Sequence, residues 1–260
     1  MITLVAGLFL CGLTYLVLRG GFSDRRRLTL IGLEPQSIGM GALAVILAGF
    51  FMGPLYGLAL ILAVMIHEFG HVAAYRVIGH HDARFRLVPL FGGVAISDQV
   101  PASQDKAFFV SLMGPGISVA PMVLAYGLSD VLYDVWPLGS DFFNAFAGLT
   151  AALNFFNLLP FWPLDGGKCL RDIAYAFWPG LARVLTVAMS AGLAAAGVAM
   201  QSMVLFVFAL IGAQSLMHAE LISSVQRPMG RWRAVLAAGA YLFTAGAHLT
   251  GGYWLIAHYI

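Results

Sequence analysis

Charged residues are scarce in this sequence. Asp, Glu, Lys and Arg make up 10% of its 260 residues, and 60% are hydrophobic, whereas an ordinary soluble domain has roughly a quarter charged residues. A single large soluble core is the alternative for so apolar a chain, but uncharged windows of about 20 residues are longer than core helices require. The composition therefore predicts an all-α polytopic membrane protein.

Excess basic charge and cysteine are also lacking. The formal net charge is +2, which provides no basic surface of the kind that binds nucleic acid. Cys11 and Cys169 show neither the spacing of a disulfide scaffold nor that of a zinc cluster. We therefore expect no nucleic-acid partner, and we interpret both cysteines as packing thiols.

Apolar windows long enough, or nearly long enough, to cross a bilayer recur along the chain. They predict about eight transmembrane helices, at about 2–18, 38–53, 55–79, 107–128, 142–160, 182–200, 203–223 and 234–257. The first window has no positive region before it and no small-residue cleavage site after it, so we expect a retained helix. Only a tight turn at 52–54 separates the second window from the third.

If successive predicted helices cross the membrane in opposite directions, every Lys and Arg lies on one face of the membrane. Short loops rich in Lys and Arg remain in the cytoplasm, so we expect that face to be cytoplasmic and both termini to lie outside. The predicted localisation is the cell membrane, as a multi-pass protein of a bacterial inner membrane. The basic residues are Arg19, Arg25, Arg26, Arg27, Arg76, Arg84, Arg86, Lys106, Lys168, Arg171, Arg183, Arg227, Arg231 and Arg233.

The longest connection, residues 80–106, differs in pattern from the apolar windows. Hydrophobic and basic residues alternate in the sequence RFRLV, and a Pro/Gly-rich segment, PLFGG, precedes a second short apolar run. Such period-two patterning on both sides of a turn is typical of paired strands. The sequence predicts a small β-hairpin or re-entrant loop at the cytoplasmic side.

The sequence MIHEFGHV places His67, Glu68 and His71 inside an apolar window. Residues four apart share a face of an α-helix, so both imidazoles can reach one ion while Glu68 reaches a water beside it. Each ionisable group in hydrocarbon costs several kcal/mol unless it has a partner. A metal site is therefore favoured over a proton path, and over core histidines that pair with Glu68.

A catalytic zinc site usually has three protein ligands. Asp165 is the candidate third ligand, because it follows a Pro-interrupted segment and precedes two glycines in NLLPFWPLDGG. Broken backbone at membrane depth is tolerated where it lines a cavity. His71 lies about five residues, or roughly 8 Å, from Arg76, and Asp165 lies close before Lys168, so the two motifs have similar depth. Pairing of Asp165 with an Arg or a helix end is the alternative.

These residues resemble the intramembrane zinc metalloproteases of the site-2 protease type. The resemblance rests on HEFGH at 67–71, GPG at 114–116 and NLLPFWPLDGG at 157–167. It covers about residues 38–170. We therefore predict an N-terminal helix and loop at 1–37, a metalloprotease core at 38–170, and C-terminal helices at 171–260.

The resemblance implies roles for individual residues. His67, His71 and Asp165 would bind one zinc ion, and Glu68 would be the catalytic general base. Asn157 would hold substrate, although an Asn at this position could equally cap the broken backbone. The hairpin would add the substrate as a further strand. Relatives often have Asn a few residues after Gly-Pro, where this chain has Ser118.

The predicted function is zinc metalloendopeptidase activity on transmembrane segments. The predicted partners are a single-span membrane protein as substrate and the lipid bilayer, and the sequence does not indicate an oligomeric state. An inactive protease-like protein, a metal or proton transporter and a membrane scaffold are the alternatives. The remaining histidines are assigned no role in the site: His80, His81, His218, His248 and His258.

Overall fold

The computed structural model describes residues 1–22, 46–88 and 92–259. Within these ranges the side chains at 86–88, 92–94, 217–220, 223–224, 254 and 256–259 are excluded from the description. The predicted helix at 38–53 lies partly outside the described residues, and its described part, 46–52, is helical.

Helices account for most of the described chain. Five of them are long and apolar enough to cross a membrane: α1, α2, α3, α6 and residues 231–253 of α8. The prediction of a multi-pass membrane protein is confirmed, whereas the count of eight spans stays a prediction. The helices are α1 (Ile2–Phe22), α2 (Pro54–Val77), α3 (Gln104–Leu132), α4 (Pro137–Asn157), α5 (Asp165–Phe177), α6 (Pro179–Ala199), α7 (Met203–Val225) and α8 (Arg231–Tyr259).

Proline and glycine set several helix boundaries. α2, α4 and α6 each begin at a proline, which has no N–H to leave unpaired in a first helical turn. Gly53 connects residues 46–52 to α2 with a φ of 84°, a conformation that side chains with a Cβ rarely adopt. A Cβ on Gly57 would overlap the backbone at Ala48 and Gly49, so the two helical segments pack closely around the predicted turn.

The predicted hairpin is present. Strand β1 (Arg84–Val88) pairs antiparallel with β2 (Gly92–Ile96), and Arg84 lies opposite Ile96. At its base, Asp82 accepts hydrogen bonds from the Asp98 backbone N–H at 2.6 Å and the Gln99 amide at 2.7 Å. Burial acts to raise the pKa of Asp82, but these hydrogen bonds outweigh it and lower the pKa below its usual value. The hairpin is therefore anchored at its open end.

The chain forms two compact units. One comprises Met1–Gln99, Met113–Phe155 and Thr244–Ile260, and the other Val100–Leu112 and Phe156–Phe243. The first unit has a core of small and medium residues from α2, α3 and α4, among them Ala59, Ala63 and Met122. Small side chains let membrane helices approach closely. The predicted division at 37/38 and 170/171 stays a prediction.

Glycines also mark the crossing of α1 and α3 within the first unit. A Cβ on Gly7 would overlap the backbone of Leu124, and a Cβ on Gly127 would overlap the backbone of Leu4. Gly12, on the same helix as Gly7, has nothing within 4 Å of an added Cβ. The two helices are therefore in backbone contact at reciprocal glycines, a packing mode typical of membrane helices.

We expect Gly127→Val to destabilise the protein by about 1–3 kcal/mol, because the added side chain must separate α1 from α3. Gly12→Val introduces the same side chain where there is open space and should have little effect. Thermal unfolding of both variants in one detergent measures the difference. Equal unfolding midpoints would contradict the close packing of α1 on α3.

Candidate metal centre

The three polar residues of the HEFGH motif lie in the second half of α2. His67, Glu68 and His71 are all buried. The Nε2 atoms of the two histidines are 3.1 Å apart, and their ring planes meet at 81°. Two nitrogens bound tetrahedrally to one zinc ion, each at 2.0–2.1 Å, would be about 3.3 Å apart. The histidine pair therefore fits a shared metal ion, as the i, i+4 spacing predicted.

Asn154 on α4 fixes the orientation of His67, a contact that the sequence analysis missed. The Asn154 side chain is fully buried. Its Nδ2 donates to the Thr150 carbonyl at 2.7 Å, and its Oδ1 lies 2.7 Å from Nδ1 of His67. Because Oδ1 can only accept, His67 carries its proton on Nδ1 and presents a lone pair at Nε2. Asn154 thus selects the tautomer that a metal ligand needs.

The GPG segment of α3 lies against the other histidine. A Cβ on Gly114 would overlap the His71 imidazole, and a Cβ on Gly70 would overlap the Met113 carbonyl. Ser118 is fully buried and donates to the Gly114 carbonyl at 3.1 Å. Its hydroxyl therefore bonds to the backbone of its own helix, one turn before it.

Asp165 belongs to the other unit and is the first residue of α5. Its side chain is buried, and Lys168 pairs with its Oδ1 at 3.1 Å. A helix N-terminus stabilises a carboxylate through the aligned peptide dipoles. α4 ends at Asn157 and the chain is non-helical up to Asp165, so the predicted backbone break is confirmed. Asn157 is partly buried, and its role with substrate stays a prediction.

Backbone packing and hydrogen bonds hold the Asp165 segment in place. A Cβ on Gly166 would overlap the Leu158 carbonyl, and one on Gly167 would overlap the Phe161 carbonyl. The Trp162 indole donates to the Gly212 carbonyl at 3.1 Å. The two glycines after Asp165 are therefore needed for the loop to fold back onto the start of α5.

The negative charge of Asp172, on the buried face of α5, is partly compensated by a neighbouring cation. Asp172 is almost completely buried and pairs with Arg171 at 2.8 Å. Burial raises the pKa of Asp172, and the neighbouring Arg171 guanidinium offsets part of that rise. Arg171 also lies over the Trp162 ring, 5.1 Å from its centroid. These contacts connect α5 to the loop that precedes Asp165.

The fold and these residues define a class: a multi-pass membrane protein with a buried HExxH motif on a helix apolar enough to cross a membrane. Residues 134–200, which include the Asp165 motif, match the model of peptidase family M50. Stage IV sporulation protein FB of Bacillus subtilis is 33% identical over 113 residues, which cover 44% of this chain and 38% of that protein. Over these segments the chain is similar to peptidase family M50 and to this sporulation protein.

Two further comparisons concern Methanocaldococcus jannaschii. A zinc metalloprotease of this archaeon is 30% identical over 114 residues, which cover 44% of this chain and 32% of that protein. The solved structure of a site-2 protease from the same organism shares 20% identity, with a TM-score of 0.46, covering 69% of this chain and 87% of that chain. The matched segments thus span about a third of the curated relatives' lengths.

We expect Gly114→Ala to weaken metal binding about 10-fold or more, because its methyl group would displace the His71 imidazole. Gly116→Ala is the matched control, since its methyl group would meet only the flexible end of Met113. Metal titration of both purified variants measures the effect. Equal affinities would contradict the contact between GPG and His71.

Asn154→Ala should lower metal affinity about 10- to 100-fold, because His67 would lose the acceptor that fixes its tautomer. Asn144→Ala removes an exposed amide from the same helix and should leave affinity unchanged. Competition with a chromophoric chelator gives both dissociation constants. Wild-type affinity in Asn154→Ala would show that Asn154 does not orient the ligand.

Proposed function

We propose that the chain is a zinc metalloendopeptidase that hydrolyses peptide bonds in transmembrane segments of other membrane proteins. One observation carries the proposal: two buried imidazole nitrogens 3.1 Å apart, next to Glu68, on a helix long and apolar enough to cross a membrane. The similarity of residues 134–200 to peptidase family M50 supports the reaction class. The location of the motif inside a span supports a substrate that is itself embedded in the membrane.

We propose that His67, His71 and Asp165 hold one zinc ion. Each residue offers one ligand atom, and all three side chains are buried. Two imidazoles and one carboxylate are a donor set that catalytic zinc uses, with a further position open for the reaction. Lys168 pairs with Oδ1 of Asp165 at 3.1 Å and places a positive charge beside the carboxylate.

A zinc ion held by these residues would supply Lewis-acid chemistry, which activates water and polarises a carbonyl group. Glu68 takes a proton from the attacking water as general base and then gives it to the leaving amine. Asn154 keeps His67 in its ligating tautomer throughout. Asn157, which resembles the family asparagine at the matching position, would hold the substrate backbone beside the scissile bond.

We propose that the site faces the cytoplasmic side of the cell membrane. Arg76 lies at the end of α2 that follows the motif, and the hairpin with Arg84 comes next in the chain. Positive residues in short loops remain cytoplasmic. A substrate helix must unwind before cleavage, because its carbonyl groups are occupied by helical hydrogen bonds, and the hairpin edge offers backbone groups to an extended segment.

Glu68→Gln should retain zinc but lower cleavage of a model transmembrane substrate by about 10²- to 10⁴-fold, because the amide cannot accept a proton. His67→Ala and Asp165→Ala should instead lose bound zinc. His81→Ala, which removes an exposed histidine outside the motif, should retain both zinc and activity. Metal content and fragment formation are measured on the same purified, liposome-reconstituted samples.

Two outcomes would contradict the proposal. Full turnover by Glu68→Gln would exclude Glu68 as the base. Metal or proton flux across the liposomes, without cleavage products, would favour the transporter alternative over the peptidase.

A further inference from the structure

His248 lies on α8, in the part of the chain that the family resemblance does not cover. Its side chain is fully buried, although α8 is one of the helices apolar enough to cross a membrane. Nε2 of His248 lies 2.9 Å from the Pro115 carbonyl oxygen. A carbonyl can only accept, so Nε2 carries the proton and donates it. A polar side chain from the C-terminal helix thus hydrogen-bonds to the middle residue of the GPG segment.

Pro115 has no N–H to donate within α3, so the helix is weakened at this turn. Two successive carbonyls there accept hydrogen bonds from buried side chains. Ser118 donates to Gly114, and His248 donates to Pro115. The Gly114 backbone lies directly against the His71 imidazole. The hydrogen bond from His248 therefore fixes backbone that is in contact with a proposed metal ligand.

The rest of α8 around His248 is also held closely. Tyr126 on α3 donates to the Gly251 carbonyl at 2.5 Å. A Cβ on Gly251 would lie 2.7 Å from the Met122 sulfur and 3.5 Å from Cβ of Ala151. Thr244–Ile260 belongs to the same compact unit as the HEFGH helix. His248 therefore lies on a helix that packs against both α3 and α4.

We propose that His248 is a positioning residue of the metal centre, which acts on His71 through the Pro115 carbonyl and the Gly114 backbone. The proposal rests on the metal-binding part of the proposed function, but it does not depend on peptidase activity. Within the described part of the chain, Nδ1 of His248 has no hydrogen-bond partner. Substitutions at this residue therefore test the bond to Pro115 without breaking a second one.

The experiment compares His248→Gln with His248→Asn in the full-length protein. The Gln amide nitrogen reaches the position of Nε2 and can still donate to Pro115, whereas the shorter Asn amide cannot. Thr250→Val is the control, because Thr250 is exposed and its hydroxyl bonds only to its own helix. Purified proteins in detergent are titrated with Co²⁺, and both the dissociation constant and the visible absorption spectrum are recorded.

We expect His248→Asn to weaken Co²⁺ binding about 10-fold or more and to change the absorption spectrum, because His71 loses its fixed position. His248→Gln and Thr250→Val should retain nearly the wild-type constant and spectrum. Thermal unfolding of each variant establishes that it is folded at the temperature of the titration.

A wild-type spectrum and affinity in His248→Asn would overturn the proposal. Equal impairment of His248→Gln and His248→Asn would also overturn it, because donation to Pro115 would not be the cause. Metal binding by the wild type without cleavage would contradict the peptidase function alone. Absence of Co²⁺ binding by the wild type would contradict both proposals.

Discussion

Burial of ionisable side chains in an apolar helix is the constraint on which the described site depends. His67, Glu68 and His71 are buried on a helix apolar enough to cross a membrane, where an ionisable group needs a partner inside the protein. For His67 that partner is Asn154, whose amide is itself fixed by the Thr150 carbonyl. For the two Nε2 atoms, which lie 3.1 Å apart, the proposed metal ion would meet the same need.

Direct contact between helix backbones provides the rigidity that such a site requires. Gly70 and Gly114 bring α2 and α3 together beside His71, with no side chain between the backbone and the imidazole. In the other unit, Gly166 and Gly167 let the loop after α4 fold onto the start of α5, where Asp165 lies. In lipid, helices gain little from burying apolar side chains against one another, so close packing at small residues stabilises the association.

The C-terminal helix extends this arrangement beyond the part of the chain that resembles the site-2 proteases. Tyr126 and Met122 on α3 contact α8 around Gly251, and His248 hydrogen-bonds to Pro115 in the same region. A helix outside the shared core thus contacts the segment that supports His71.

The sequence by itself determined the membrane class, the hairpin, the pairing of His67 with His71 and the break before Asp165. Each of these follows from local spacing: apolar length, period-two alternation, the i, i+4 helical repeat, and Pro and Gly in succession. Only the tertiary structure decided the contacts of Asn154 with His67, of Gly114 with His71 and of His248 with Pro115. Asn154 lies 87 residues from His67 along the chain, and His248 lies 133 residues from Pro115. No local pattern specifies such contacts, because they arise from the packing of separate helices.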